Sequence, residues 1–426
     1  TMDTTRADIF GCYGGESDVT PNLDRLASEG ALFVNAYSQS NNTNPSHFSI
    51  MSGQYLLEHR VFVNTVKAPL RIETLPIVFE KAGYHTGAMI AARHLYDLGW
   101  NGFINARSLV DARTRKLKAV AGEVTTSATT WLENRPDVPF FLWVHYFDPH
   151  TPYQPPQRMM ARFGTLKGDA AKGARTLWRT FLRPPSGLSS VQTDPKWIKW
   201  LRTQAMYAGE VHYMDREIWR LLAGLKKHGE PNQTVIIAVA DHGESMGEHG
   251  VMADHAGLYE PSIRIPFIIR VPGFPSGVKR RERVTQLDIA PTVLELFGLE
   301  FVRPLPGLSL LRLLAGESDA NVTERRTLIT ESAQNRHLVV RREQWKLIVP
   351  TAKNNHKLKP PLSNVVELYD LDRDPYELRN VAAANLELVD ELESLAERWK
   401  AIGLVHKPPA RSKAAQEKLR RLGYME

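Results

Sequence analysis

Three uninterrupted apolar runs constrain this chain more than any other feature: Phe140 to His145 (FFLWVH), Thr234 to Ala240 (TVIIAVA) and Ile265 to Val271 (IPFIIRV). Runs of this kind suit strands covered on both faces, and such strands belong to sheets sandwiched between helices. Amphipathic stretches at Thr20–Glu29, Leu75–Ala82, Gly122–Glu133 and Met206–Lys227 supply those helices. The expected fold class is α/β, a large mixed, mostly parallel sheet between helical layers. Near Glu324 the pattern changes. His337–Pro350 reads as a hairpin, Val365–Leu371 as a strand and Leu386–Ile402 as a helix. The expected organisation is a catalytic domain over 1–325 and a small antiparallel α+β subdomain over 326–426.

Polar residues at the exits of these strands carry the chemistry. Asp241-His242-Gly243-Glu244 follows TVIIAVA directly, at the carboxyl end of a strand, where open α/β sheets assemble their sites. A carboxylate beside an imidazole suits Zn²⁺ or Mn²⁺ better than Ca²⁺ or Mg²⁺. His145 ends another run, and Asp148-Pro149-His150 follows it. The stretch Asn42-Thr43-Asn44-Pro45-Ser46-His47 leads into an apolar helix start. A hydroxyl there faces free backbone N–H groups and the positive end of the helix dipole, which favour an anion, although the same residue also serves as an ordinary N-cap.

One cysteine, Cys12, allows no internal disulfide and no thiolate cluster, so a metal must be held by oxygen and imidazole. The net charge of +7 is local: residues 158–202 hold ten Lys/Arg against two acids, interleaved with Trp178, Trp197 and Trp200. This segment reads either as a cover over an anionic substrate or lipid headgroups, or as a solvated helical excursion with its tryptophans turned inward. Nucleic-acid binding is not expected, because the charge is confined to that segment and no recognition module accompanies it. Asp3 has only Thr1 and Met2 before it, although its loop reads as the exit from a core strand. Either the chain is trimmed there or the strand is short. Compartment and oligomeric state stay open.

DTTRADIFGCYG, NPSHFSIMSGQY, FLWVHYFDPHTPYQPP, VADHGESMGEHG, LYEPSIRIPFIIRVPG, QLDIAPTVLELFG and ELYDLDRDPYELRNVA occur in that order. The set resembles the sulfatase family of the alkaline phosphatase superfamily along nearly the whole chain. The resemblance implies an alkaline phosphatase-like fold and a divalent metal held by Asp3, Asp241, His242 and the hydroxyl of Thr43. It further implies substrate-binding roles for His94, His150 and His255, with His47 standing where relatives carry arginine. Thr4 replaces a second aspartate of many members. A second metal would draw on Asp148, His150 and His255. Most telling is Thr43, where sulfatases carry the Cys or Ser that becomes formylglycine. Threonine cannot form that aldehyde by the known route, so formylglycine is not expected, and the site is similar to that of phosphodiesterase and phosphotransferase members with a threonine nucleophile. The leading expectation is cleavage of a phosphate ester or diester through a covalent intermediate on Thr43. The alternatives are a sulfuric ester hydrolase, a phosphotransferase to an alcohol, and, from another class, a catalytically silent anion-binding protein.

Overall fold

The computed structural model describes residues 1–16, 18–66, 72–92, 103, 105–109, 119–159, 195–227, 232–317, 326–332, 337–351 and 364–404. Its main sheet is built in two blocks. The first joins β2 (His85–Ile90), β3 (Asn105–Ser108) and β4 (Phe140–His145) in parallel, in the order β3-β2-β4. The second has the order β10-β1-β9-β5, from β1 (Ala31–Tyr37), β5 (Ile236–Val239), β9 (Phe267–Arg270) and β10 (Val278–Thr285). Here β10 runs parallel to β1, while β9 lies antiparallel to both β1 and β5. The short strand β8 (Arg264–Ile265), set off from β9 by Pro266, also pairs antiparallel with β1. The architecture is the mixed α/β sheet expected.

Met2 couples the two blocks. It forms parallel bridges to Tyr146 on one side and Ala240 on the other. Its neighbours complete the ladder: Met2 N donates to Val239 O (3.0 Å), Asp241 N to Met2 O (3.3 Å) and Tyr146 N to Thr1 O (2.9 Å). Asp3 therefore leaves the sheet between the ends of β4 and β5. One residue of ladder fixes its place.

Helices cover both faces. One apolar cluster packs Val124, Ala128, Val211 and Met214 against Ala88 and Trp143; the other packs Phe79, Val293 and Leu313 against Phe33 and Phe267. The helix expected from Met206 is longer, Pro195–Lys227, and its first turns come from the basic segment. Trp200 in those turns is buried, with Nε1 donating to Met246 O at 2.6 Å. The rest of that segment, 160–194, lies outside the described residues. Among the described residues no helix is long and apolar enough to cross a membrane.

The carboxyl-terminal sheet is antiparallel throughout, in the order β11 (Leu328–Ser332), β12 (His337–Arg342), β13 (Trp345–Pro350) and β14 (Glu367–Asp370). The helix Leu386–Leu404 covers one face through Leu392 and Ala396. The other face docks on Leu258, Tyr259 and Ile263. Ions reinforce the contact: the fully buried Lys346 reaches Glu377 (2.5 Å) and Glu260 (3.1 Å), and Arg341 pairs with Glu260. These groups lie just beyond the loop that carries His255, so this subdomain braces one wall of the site.

Candidate active site

Asp3, Asp241 and His242 come together at the carboxyl ends of the strands, with one ligand atom from each lying within 4.8 Å of the others. All three are fully buried. Backbone amides aim the carboxylate of Asp241: His242 N (2.7 Å) and Thr4 N (3.1 Å) both donate to Oδ1. That leaves the buried Oδ2 with no hydrogen-bond partner, 3.5 Å from His242 Nε2. Thr4 adopts φ 44° to present its N–H, an uncommon conformation for a residue with a Cβ. The Thr4 amide thus orients the carboxylate of Asp241.

The imidazole of His242 is held in a single tautomer. Nδ1 donates to Gly243 O at 3.0 Å, which leaves the Nε2 lone pair facing Asp241 Oδ2 and Thr43 Oγ1, the latter at 3.4 Å. Thr43 is the first residue of the helix Thr43–Ser52 and is fully buried. Burial pushes Asp241 up to about 7, although the amides of His242 and Thr4 pull it down; burial, with His255 nearby, also holds His242 well below the usual imidazole range. Two adjacent carboxylates enclosed in protein require a positive partner. This donor set of one imidazole and two carboxylates, one of them with an orphaned oxygen, fits a divalent cation.

His255 stands beside this group, its ring centre 4.6 Å from that of His242 and its Nδ1 3.8 Å from Glu244 Oε1. Burial opposes its protonation, but Glu244, Asp254 and Asp241 outweigh burial and raise its pKa. His150 lies further out, 5.9 Å from His255 between ring centres, stacked on Phe147, with Nδ1 bonded to Thr151 O at 2.6 Å. His47 contacts Thr43 O through Nδ1 (2.8 Å) and Thr1 Oγ1 through Nε2 (3.0 Å). Both its ring nitrogens are engaged inside the protein, which suits support of the Thr43 turn better than contact with a ligand. His94 lies outside the described residues. His249 is elsewhere, stacked on Tyr259 with ring centres 3.6 Å apart. Among the described residues no second group of three metal-ligand side chains gathers around Asp148, His150 and His255.

Three residues within the motifs, to which the resemblance assigns no role, shape the site. His145 Nε2 lies 3.5 Å from Asp3 Oδ2. Gln286 Nε2 donates to the carbonyls of Ala240 and Asp241, while its Oε1 accepts from Ser46 Oγ and Gln39 N. Glu244 joins His255 to Tyr153, whose hydroxyl donates to Oε2 at 3.1 Å. The signal for His145 was its place at the end of an apolar strand. Gln286 follows a charged strand and opens the motif QLDIAPTVLELFG, but nothing in the motif points to its contacts.

Known proteins resemble this chain along nearly its whole length. Residues 1–299 match the sulfatase family model, and residues 247–401 match that of the carboxyl-terminal region of N-sulphoglucosamine sulphohydrolase. An N-acetylglucosamine-6-O-sulfatase of Bacteroides thetaiotaomicron is 26% identical, over 93% of this chain and 85% of its own. A multifunctional alkaline phosphatase superfamily protein of Trinickia caryophylli is 27% identical, over 89% of each. A structure solved in complex with its substrate D-glucosamine-2-N,6-O-disulfate superposes with a TM-score of 0.76 at 24% identity, covering 97% of this chain and 98% of the other. The chain belongs to the sulfatase family of the alkaline phosphatase superfamily and is an ester hydrolase.

Proposed function

We propose that the protein cleaves a phosphate ester or diester, with Thr43 Oγ1 as nucleophile and a phospho-threonine as intermediate. The carrying observation is the position of Thr43 Oγ1, buried at the first residue of a helix and 3.4 Å from Nε2 of His242, which gathers with Asp3 and Asp241. Asp3, Asp241, His242 and the Thr43 hydroxyl would hold a divalent cation, Zn²⁺ or Mn²⁺ by donor type, whose charge lowers the pKa of a neighbouring hydroxyl and polarises the ester. Thr43 Oγ1 bonds to phosphorus as the bond to the leaving alkoxide breaks. The helix amino terminus and a protonated His255 stabilise the charge on the phosphoryl oxygens, and His150, when protonated, presents Nε2–H to the same anion. Water then attacks phosphorus and releases Thr43. His47 positions Thr43 by holding its carbonyl.

Sulfuric ester hydrolysis is the second reading, favoured by the sulfatase match over residues 1–299 and by the relative named for 6-O-sulfated N-acetylglucosamine. The two tetrahedral anions present similar oxygens to the same donors. Thr43 weighs toward phosphorus, because oxidation of a secondary alcohol gives a ketone and not the aldehyde that sulfatases employ. Turnover of 4-nitrophenyl phosphate, bis-4-nitrophenyl phosphate and 4-nitrophenyl sulfate, measured side by side, separates the readings. The expected result is cleavage of a phosphate substrate that falls about 10³-fold or more in Thr43→Ala and is partly retained in Thr43→Ser. Preference for the sulfate overturns the phosphate reading. Turnover unchanged in Thr43→Ala removes the nucleophile. Diversion of product by added glycerol would mark a transferase.

A further inference from the structure

His255 sits on a stretch of chain that its own backbone barely holds. Upstream, a short antiparallel ribbon pairs Ser245 with Asp254 and Met246 with Met252. Downstream, Tyr259 is pinned through its hydroxyl, which donates to the buried carboxylate of Glu367 at 3.1 Å. Between these anchors, among the described residues, no backbone–backbone bond reaches Ala256, Gly257 or Leu258. The path is also irregular: Gly257 adopts φ 85°, and Ala253, at φ 51°, takes a conformation uncommon for a residue with a Cβ. Buried carbonyls on such a stretch must find donors from elsewhere in the fold.

Asn41 supplies them. It is fully buried, and its Nδ2 donates to the carbonyl of His255 at 2.7 Å and to that of Gly257 at 3.0 Å. An amide NH₂ carries two hydrogens, so one side chain serves both carbonyls. Its Oδ1 accepts from Asn42 Nδ2 at 3.0 Å, which fixes the orientation of the amide. Asn41 lies two residues before Thr43. The contact closes a ring around the site. Thr43 Oγ1 lies 3.4 Å from His242 Nε2, and the His242 ring centre lies 4.6 Å from that of His255. From His255 the ring returns, through its carbonyl and Asn41, to the turn that bears Thr43.

We propose that Asn41 is a positioning residue that sets His255 against Thr43 for the reaction at that hydroxyl. Its NH₂ group is occupied by main chain, so it acts through His255 and not on the ester itself. Without it, two buried carbonyls lose their donor and the stretch from His255 to Leu258 is free to relax. A displacement of about 1 Å in a group that stabilises the reacting anion lowers a rate by up to about 10²-fold. This role rests on the reading of His255 as a donor to the reacting anion, and it holds for a phosphate and a sulfate alike.

A double-mutant cycle tests it. The single-turnover rate constant, with enzyme in excess so that slow variants are reached, is measured on whichever 4-nitrophenyl ester the wild type cleaves, for Asn41→Ala, His255→Ala and the double variant. The expected result is a fall of about 30-fold for Asn41→Ala in the wild-type background and of less than about threefold in the His255→Ala background, with Mn²⁺ affinity within about twofold of the wild type. Equal losses in the two backgrounds, a fall in Mn²⁺ affinity that matches the fall in rate, or an unchanged rate in Asn41→Ala overturns the positioning role. An unchanged rate in His255→Ala is a different failure: it removes His255 from the reaction, and the role of Asn41 with it. If Asn41→Ala does not fold, the cycle is run with Asn41→Ser, which stays polar but has one hydrogen to donate. Failure of both to fold makes Asn41 a residue of the fold alone and overturns the proposal.

Discussion

The two ends of β4 and β5 differ sharply. At their carboxyl ends the chain is dense with polar contacts: Met2 closes the ladder, and Asp3, His145, Asp241 and His242 are all fully buried. At their amino ends the same strands border a cavity and leave large apolar side chains half-exposed. The contrast separates what shapes the site from what stabilises the sheet. Asp241 is aimed by the amides of Thr4 and His242, and the carbonyls beneath it are held by Gln286, so the strand exits are fixed by their own hydrogen bonds.

Asp241→Asn tests the polar end most severely. The amide oxygen can still accept from Thr4 N and His242 N, so the fold survives, but an NH₂ replaces the free oxygen and cannot ligate a cation. Mn²⁺ affinity measured by calorimetry is expected to fall about 10²-fold or more. The metal-free stability carries a sign as well. Because burial raises Asp241 to about 7, above its unfolded value, the metal-free wild type loses stability as pH rises from about 4 to 7, and the asparagine variant escapes that loss. Unchanged Mn²⁺ binding would remove Asp241 from the ligand set.

The apolar end is tested by a pair of truncations. Ile268→Ala in the closed part of the sheet is expected to cost about 2–5 kcal/mol by urea unfolding. Leu142→Ala, already facing a cavity, is expected to cost less than about 1.5 kcal/mol, because little packing is lost. Equal costs would mean that Leu142 is packed as tightly as Ile268, and the contrast between the two ends would vanish.

Much of this was legible in the sequence, for a physical reason. A carboxylate and an imidazole right after an apolar strand emerge at the carboxyl end of that strand, so Asp241 and His242 are identifiable, as are the helix start at Thr43 and the hairpin at His337–Pro350. β10 (VKRRERVT) hides because its outer residues face solvent, which replaces the apolar signal with charge. The antiparallel setting of β9 hides because covering on both faces gives the same run in either direction. His145 and Gln286 owe their roles to partners about 140 and 45 residues away, Asp3 and Asp241, and no local pattern encodes such a distance. His47 shows the converse: the resemblance sets it where relatives carry arginine, and its geometry gives it the Thr43 carbonyl.

The smallest expected effect sharpens the comparison furthest. Gln286 touches neither cation ligand side chain nor substrate; it bonds only the carbonyls of Ala240 and Asp241, Ser46 Oγ and Gln39 N. Gln286→Leu keeps the volume and orphans the Ala240 carbonyl and the Gln39 amide, while Ser46 Oγ and Asp241 O keep their bond to each other at 2.6 Å; the loss costs about 1–3 kcal/mol of stability. If the polar end is an independent framework, Mn²⁺ affinity should fall about tenfold while the β4 and β5 amides exchange as in the wild type. Gln286→Glu, which can still accept from Ser46 and Gln39, should recover part of the affinity. A uniform rise in exchange through β5 and β9, with no change in Mn²⁺ affinity, would show instead that Gln286 serves the sheet and that the two ends form one cooperative unit.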